Sequence, residues 1–132
     1  MRTACIVSVL TLVLALSACG STTLPTSSLT IRHAVSDALI SAPTALGTLT
    51  LGVGATQQIK VVRSFRTDAG NTFSDDVTQF TNFKWESGGG VASIDQLGNV
   101  SGLAAGSEVL ETKFRESAFD PWDICRLLVV VN

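Results

Sequence analysis

The chain is poor in the residues that catalysis and metal binding draw on. It has no tyrosine, one histidine, one methionine and three cysteines in 132 residues. The sole histidine, His33, has no Cys or His at ligand spacing, so an exposed polar residue is the expected role. Serines and threonines are numerous, but nothing pairs a nucleophile with a base. Gly88-Gly89-Gly90 lacks the following lysine of a phosphate-binding loop. Concentrated basic charge is absent too, which argues against a nucleic-acid partner. Blocks of like charge are missing, apart from Asp75-Asp76. No apolar run reaches the length of a membrane span, and beyond residue 38 no stretch keeps a helical period. These absences leave binding, and not turnover, as the expectation.

What is present begins with Leu16-Ser17-Ala18-Cys19. Arg2 and the terminal amine make a positive start, and residues 6–16 form an apolar run broken only by Ser8 and Thr11. Eleven helical residues span roughly 17 Å, well short of a ~30 Å hydrocarbon core. Small Ser17 and Ala18 lead into Cys19, and Gly20 follows without charge. This arrangement resembles the lipobox of bacterial lipoprotein signal peptides. The resemblance implies a signal peptide over 1–18, removed on export, and a Cys19 carrying a thioether-linked diacylglyceryl group and an N-acyl chain. Each buried methylene of such chains contributes about 0.8 kcal/mol, so two or three chains hold a protein firmly. It also implies a lipid-anchored protein of the cell envelope. In an organism with two membranes, Gly20 after Cys19 implies the outer one.

Cleavage before Cys19 leaves 114 residues with 8 basic and 11 acidic side chains, a mild excess of negative charge. Cys5 leaves with the signal and Cys19 is taken by lipid, so Cys125 has no partner for a disulfide. It is either a reactive thiol or, as expected here, a small buried hydrophobe. Residues 19–37 read as a lipidated cysteine followed by a polar tether rich in Ser and Thr, though 31–37 also fit an edge strand.

Residues 38–132 read as one β-patterned domain. Strands are expected at 39–42, 49–51, 57–65, 83–86, 91–94, 100–102, 108–114 and 124–131, punctuated by turns at 52–54, 68–71 and 96–99. Alternation puts Ile59, Val61 and Phe65 on one face of their strand, with Arg63 unexplained beside them. Cys125, Leu127, Val129 and Val131 form the inward set of the last strand. The fold class is therefore all-β, a sandwich or barrel.

The ordered motifs are similar to the bacterial immunoglobulin-like domain, group 2, a module that recurs in invasin- and intimin-type surface proteins. The carriers are a strand ending at Pro43, Leu49-Thr50-Leu51-Gly52-Val53-Gly54-Ala55-Thr56, and Asp68-Ala69-Gly70 before Asp76-Val77-Thr78. Trp85-Glu86-Ser87, Val91-Ala92-Ser93-Ile94-Asp95 and Gly98-Asn99-Val100-Ser101-Gly102 complete the set. Departures are the Asp-Ala-Gly turn, an insert over 41–48, and a long loop over 115–123. The resemblance implies an immunoglobulin-like β-sandwich of about seven short strands. It implies a non-catalytic module for adhesion, scaffolding or envelope interactions, with an accessory subunit of a larger envelope complex as the alternative.

Trp85 is large enough to bridge two packed sheets, and is expected at the centre of the core. Its truncation to Ala is then expected to cost about 3–5 kcal/mol. Gly98 and Gly106 are expected at positive φ. In the long loop, Phe119, Asp120 and Trp122 stand out: exposed, they would contact a protein or glycan partner; folded back, they would cap the core. Some modules of this kind bind calcium. Asp75-Asp76, and Glu116 with Asp120 and Asp123, are the acidic candidates, but neither group alone supplies six to eight oxygens, so no cofactor is expected. The anchor itself is testable. Cys19→Ser is expected to move the protein from the membrane to the soluble fraction, and unchanged membrane fractionation would remove the anchor assignment.

Overall fold

A computed structural model describes residues 27–132. The expected signal peptide over 1–18, Cys19 and the tether as far as residue 26 lie outside the described residues. Ser27–Ser64 and Phe73–Asn132 form one compact unit, while Phe65–Thr72 falls in a second unit. Within that second unit, Gly70 takes a φ of +86°, and its N–H donates to the Thr67 carbonyl at 2.9 Å, which makes the expected turn.

Ten strands run through the described residues: β1 Ser27–His33, β2 Leu39–Ser41, β3 Gly47–Leu51, β4 Thr56–Arg66, β5 Thr72–Asp76, β6 Asn82–Trp85, β7 Ala92–Ile94, β8 Asn99–Gly102, β9 Gly106–Phe114 and β10 Asp123–Val131. They form two sheets. One has the order β2-β1-β4-β8-β7, with β5 also on β4; the other has the order β3-β10-β9-β6. The fold is an all-β sandwich, as expected.

Alternation explains which faces meet. Along β10, Cys125, Leu127, Val129 and Val131 are buried, while Arg126 on the other face is exposed. β10 is central in its sheet: β9 pairs with it antiparallel from Asp123↔Phe114 to Val131↔Gly106, and β3 pairs parallel from Leu127↔Gly47 to Val131↔Leu51. Against this face the other sheet sets Leu29, Ile31, Ile59, Val61 and Val100, all fully buried. Thr112 is buried among them with its hydroxyl donating to the Cys125 carbonyl at 2.7 Å, so its burial leaves no hydroxyl unpaired. Burial pushes the Cys125 thiol up from its ordinary pKa, in keeping with a small core hydrophobe.

Three expectations need correction. The tether expected over 19–37 is too long, because 27–33 form β1 and residues 38 onward are not the start of the domain. Leu29 and Ile31 alternate with Thr30 and Arg32, and they cover Ile59 and Val61 of the neighbouring strand. Trp85 is not the centre of the core. It lies on β6, the edge of its sheet, half-buried, and packs on the rim of the aliphatic cluster. The strand count exceeds seven, and β5 is one of the strands not expected because it carries no apolar alternation: all five of its residues are exposed, and its place comes from pairing with β4.

Two glycines are dictated by close approach. A Cβ on Gly47 would sit 1.6 Å from the Ile40 carbonyl oxygen. Gly98 has a φ of +88°, and a Cβ there would lie 2.2 Å from the Ile59 carbonyl oxygen. Gly106 also takes the expected positive φ, +148°. Ser41 joins the sheets: its hydroxyl donates to the Arg126 carbonyl and accepts from the Gly47 N–H at 2.9 Å.

The position of the core sets an order of mutational costs. Leu127→Ala is expected to lose about 2–5 kcal/mol. Trp85→Ala, at the rim, is expected to lose roughly 1–2 kcal/mol. Urea midpoints at unchanged m-values measure both; a larger loss at Trp85 than at Leu127 would return the indole to the centre.

Candidate interaction surfaces

The loop singled out in the sequence connects β9 to β10, at the end of the sandwich where Ser27 lies. The Ser27 hydroxyl donates to Asp123 Oδ2 at 2.7 Å. A turn at 117–120 is closed by the Asp120 N–H donating to the Ser117 carbonyl at 3.2 Å, and the Ser117 hydroxyl donates to Asp120 Oδ2 at 3.1 Å. This puts Phe119 at the tip, 98% exposed. Trp122 behaves differently. It is 37% exposed, with Lys113 Nζ 4.8 Å and Arg115 Cζ 4.2 Å from its ring centroid. The loop thus neither folds back onto the core as a whole nor stands wholly free. One aromatic projects, and cations cover the other.

The same end accounts for Arg63. Strand alternation turns it inward, between Val61 and Phe65 on the same face of β4, and its side chain is 14% exposed. Its Nη1 lies 3.1 Å from Glu116 Oε1, its Nε 3.7 Å from Asp123 Oδ2, and its guanidinium 5.7 Å from the centroid of Phe114. The acids named as calcium candidates are therefore distributed: Glu116 and Asp123 face Arg63, and Asp120 belongs to its turn. Asp76 Oδ1 accepts from the Thr78 N–H at 3.0 Å and the Thr78 hydroxyl at 2.5 Å. Among the described residues no group of three His, Cys, Asp or Glu is placed to hold a metal ion.

A second surface was not read from the sequence. β4 changes neighbours along its length. β8 pairs with it over Thr56↔Ser101 to Gln58↔Asn99, and β5 joins it further on. Between them its backbone is completed from outside the ladder: the Ile59 N–H donates to the Gly98 carbonyl at 2.9 Å, and the Val61 N–H to the Thr78 hydroxyl at 2.9 Å. The exchange leaves a groove of about 570 Å³, lined among others by Gln58, Lys60, Gln79, Phe80 and Leu97. Phe80 is 75% and Leu97 54% exposed. Gln96 fixes the two walls, its side-chain amide donating to the carbonyls of Gln79 at 3.2 Å and Thr81 at 2.8 Å. The readable signal was a large apolar residue in each connection, Phe80 in the short 3-10 helix Thr78–Phe80 and Leu97 in the 96–99 turn, where turn chemistry alone asks for none.

At the border of the groove, the turn after β1 is pinned. The Asp37 N–H donates to the His33 carbonyl at 3.0 Å, and Asp37 takes a φ of +63°, which aspartate tolerates. Lys60 Nζ lies 2.9 Å from Asp37 Oδ1. His33 serves this turn through its backbone, and among the described residues its ring belongs to no group of three metal-ligating side chains.

Two carboxyls here sit below the usual range. For Asp37 the causes are the hydrogen bond from Lys60 and then its charge; for Asp95, the hydrogen bond from the Asn99 side chain at 2.9 Å and then its backbone N–H. A depressed folded-state pKa makes the ionised form favour folding. That contribution is present above the ordinary aspartate range and is lost as pH falls through the folded values. Thermal unfolding is therefore expected to be flat above about pH 5 and to weaken below it. Asp37→Asn is expected to lower Tm slightly at neutral pH and to make the acid limb shallower; an acid limb identical to the parent's would place the sensitivity elsewhere. The chain was compared with protein-family models, with curated proteins and with solved structures, and none of the three comparisons found a match.

Proposed function

We propose that the chain is a bacterial lipoprotein, moored through acylated Cys19, that presents one immunoglobulin-like module of group 2 for adhesion, scaffolding or envelope interactions without turnover. The lipobox resemblance supports the mooring, and the ordered motifs over 39–131 support the module. The all-β sandwich is compatible with both. Within it, Asp95 and Gly98 of the motif form a tight hairpin turn, the Asp95 carboxylate accepting from the N–H groups of Leu97 at 2.9 Å and Asn99 at 3.0 Å.

The observation that carries the binding role is the groove at the change of partner along β4. It opens beside Ala34, past the end of β1 that is opposite Ser27. A partner held there meets Phe80 and Leu97 as apolar contacts, and the amides of Gln58 and Gln79 as orienting donors and acceptors. A binding surface remote from the moored end leaves a protein or glycan partner free to approach.

The test is Phe80→Ser in the full-length, acylated protein, followed by chemical crosslinking in whole cells. Phe80 is so exposed that the fold is expected to persist with stability within about 0.5 kcal/mol. The variant should keep its membrane fractionation and lose its crosslinked partners. Partners retained unchanged would rule the groove out. A single stoichiometric partner would make the protein an accessory subunit of an envelope complex, whereas several would fit adhesion or scaffolding.

A further inference from the structure

We propose that the 115–122 loop is a second membrane contact, with Phe119 and Trp122 entering the headgroup layer of the leaflet that holds the Cys19 lipid. The inference rests on acylation of Cys19. It follows from where the described domain begins. The Ser27 hydroxyl is hydrogen-bonded to Asp123, the residue after Trp122, so the chain enters the sandwich beside this loop.

Only seven residues separate Cys19 from Ser27. Fully extended, that connection reaches at most about 29 Å, and as a coil roughly 16 Å. A tether running to residue 37 would have let the domain stand well away from lipid. The shorter one brings the Ser27 end close to a headgroup layer about 5–8 Å deep.

The chemistry of the loop fits that layer. Phe119 is 98% exposed at the tip of a closed turn and offers an apolar wedge to the boundary between headgroups and acyl chains. Trp122 is amphipathic, and indoles concentrate at membrane interfaces. Lys113 and Arg115 flank its ring at 4.8 and 4.2 Å, where their charged ends can reach phosphate while their stems lie along the indole. The charges of the loop and its immediate flank balance: Lys113, Arg115 and Arg63 against Glu116, Asp120 and Asp123, with Arg63 facing two of the three acids. Attachment is therefore by aromatic insertion into a zwitterionic surface, and its salt dependence is weak. Two contact points, the lipid and the loop, fix which way the module faces. They turn the groove beside Phe80 away from the bilayer.

The experiment uses the full chain carrying Trp85→Phe, which leaves Trp122 as its one tryptophan, purified with its native modification and verified by mass spectrometry. It is reconstituted into phosphatidylcholine vesicles whose acyl chains are brominated close to the headgroup. The expected result is a blue shift and loss of Trp122 emission with bromolipid, with protection from aqueous acrylamide. Adding Phe119→Ser should restore both emission and acrylamide access. An acylated, vesicle-bound protein whose Trp122 ignores bromolipid and is quenched by acrylamide overturns this inference and leaves the anchor standing. Shielding from both quenchers would put a second copy or another protein on the loop, and would equally overturn it. A protein without acyl chains overturns the anchor and this inference together. Should Trp85→Phe fail to fold, Phe119→Cys bearing a spin label in the parent chain gives the same reading; Cys125 is buried. Relaxation dominated by oxygen supports insertion, and relaxation dominated by a water-soluble nickel chelate refutes it.

Discussion

The arrangement depends on the burial of one face of β10. Four residues on alternate positions, Cys125, Leu127, Val129 and Val131, lose contact with water together, and the strand sits between β9 and β3 so that both sides of its ladder are paired. Burying an aliphatic side chain of this kind contributes about 1.5–3 kcal/mol. The facing residues Leu29, Ile31, Ile59 and Val61 return the same benefit from the other sheet. Among the described residues Cys125 is a free thiol and no aromatic residue is fully buried in this cluster; branched aliphatic side chains fill the space between the sheets. The core accordingly makes a demand on the earliest described residues. Without Leu29 and Ile31, one side of β4 would be bare.

That demand bears on the proposed lipid anchor. Recruiting residues 27–33 into a sheet takes them out of the connection to Cys19, and so a packing requirement would shorten the leash of the proposed anchor. The consequences are geometric. Ser27 lies at the end that carries the aromatic loop, and the groove lies past the other end of β1. Under the proposed function such polarity would matter, because orientation at a surface decides which face a partner can meet. The interior of the loop end is held by Arg63, whose inward position is sustained by Glu116, Asp123 and Phe114. An arginine can occupy this otherwise apolar face because Glu116 of the loop and Asp123 at the start of β10 supply acids to it.

The groove arises from a different constraint. β4 is eleven residues long, whereas β8 and β5 each match only part of it. Where one neighbour ends and the next begins, the backbone must still be satisfied, and Thr78 and the carbonyl of Gly98 do this. The segments that supply those groups bring Phe80 and Leu97 with them to the surface. The same backbone accounting that stabilises the sheet therefore creates the exposed apolar residues.

The sequence by itself determined the all-β class, the inward set of β10, the positive φ at Gly98 and Gly106 and the turn at Gly70, because each depends on local alternation or on the conformational freedom of glycine. It also singled out Phe119 and Trp122, which stand in a loop too long for a tight hairpin. Only the tertiary structure decided the rest. Leu29 and Ile31 form too short an alternation to stand out from a hydroxyl-rich segment until β4 is seen beside them. β5 has no alternation at all and exists through its neighbour's ladder. Trp85 is large, but its strand lies at a sheet edge, and strand order is a long-range property. The groove and the partners of Arg63 depend on which loops meet, and such meetings are set by the pairing of distant strands, not by the residues on either side of each loop.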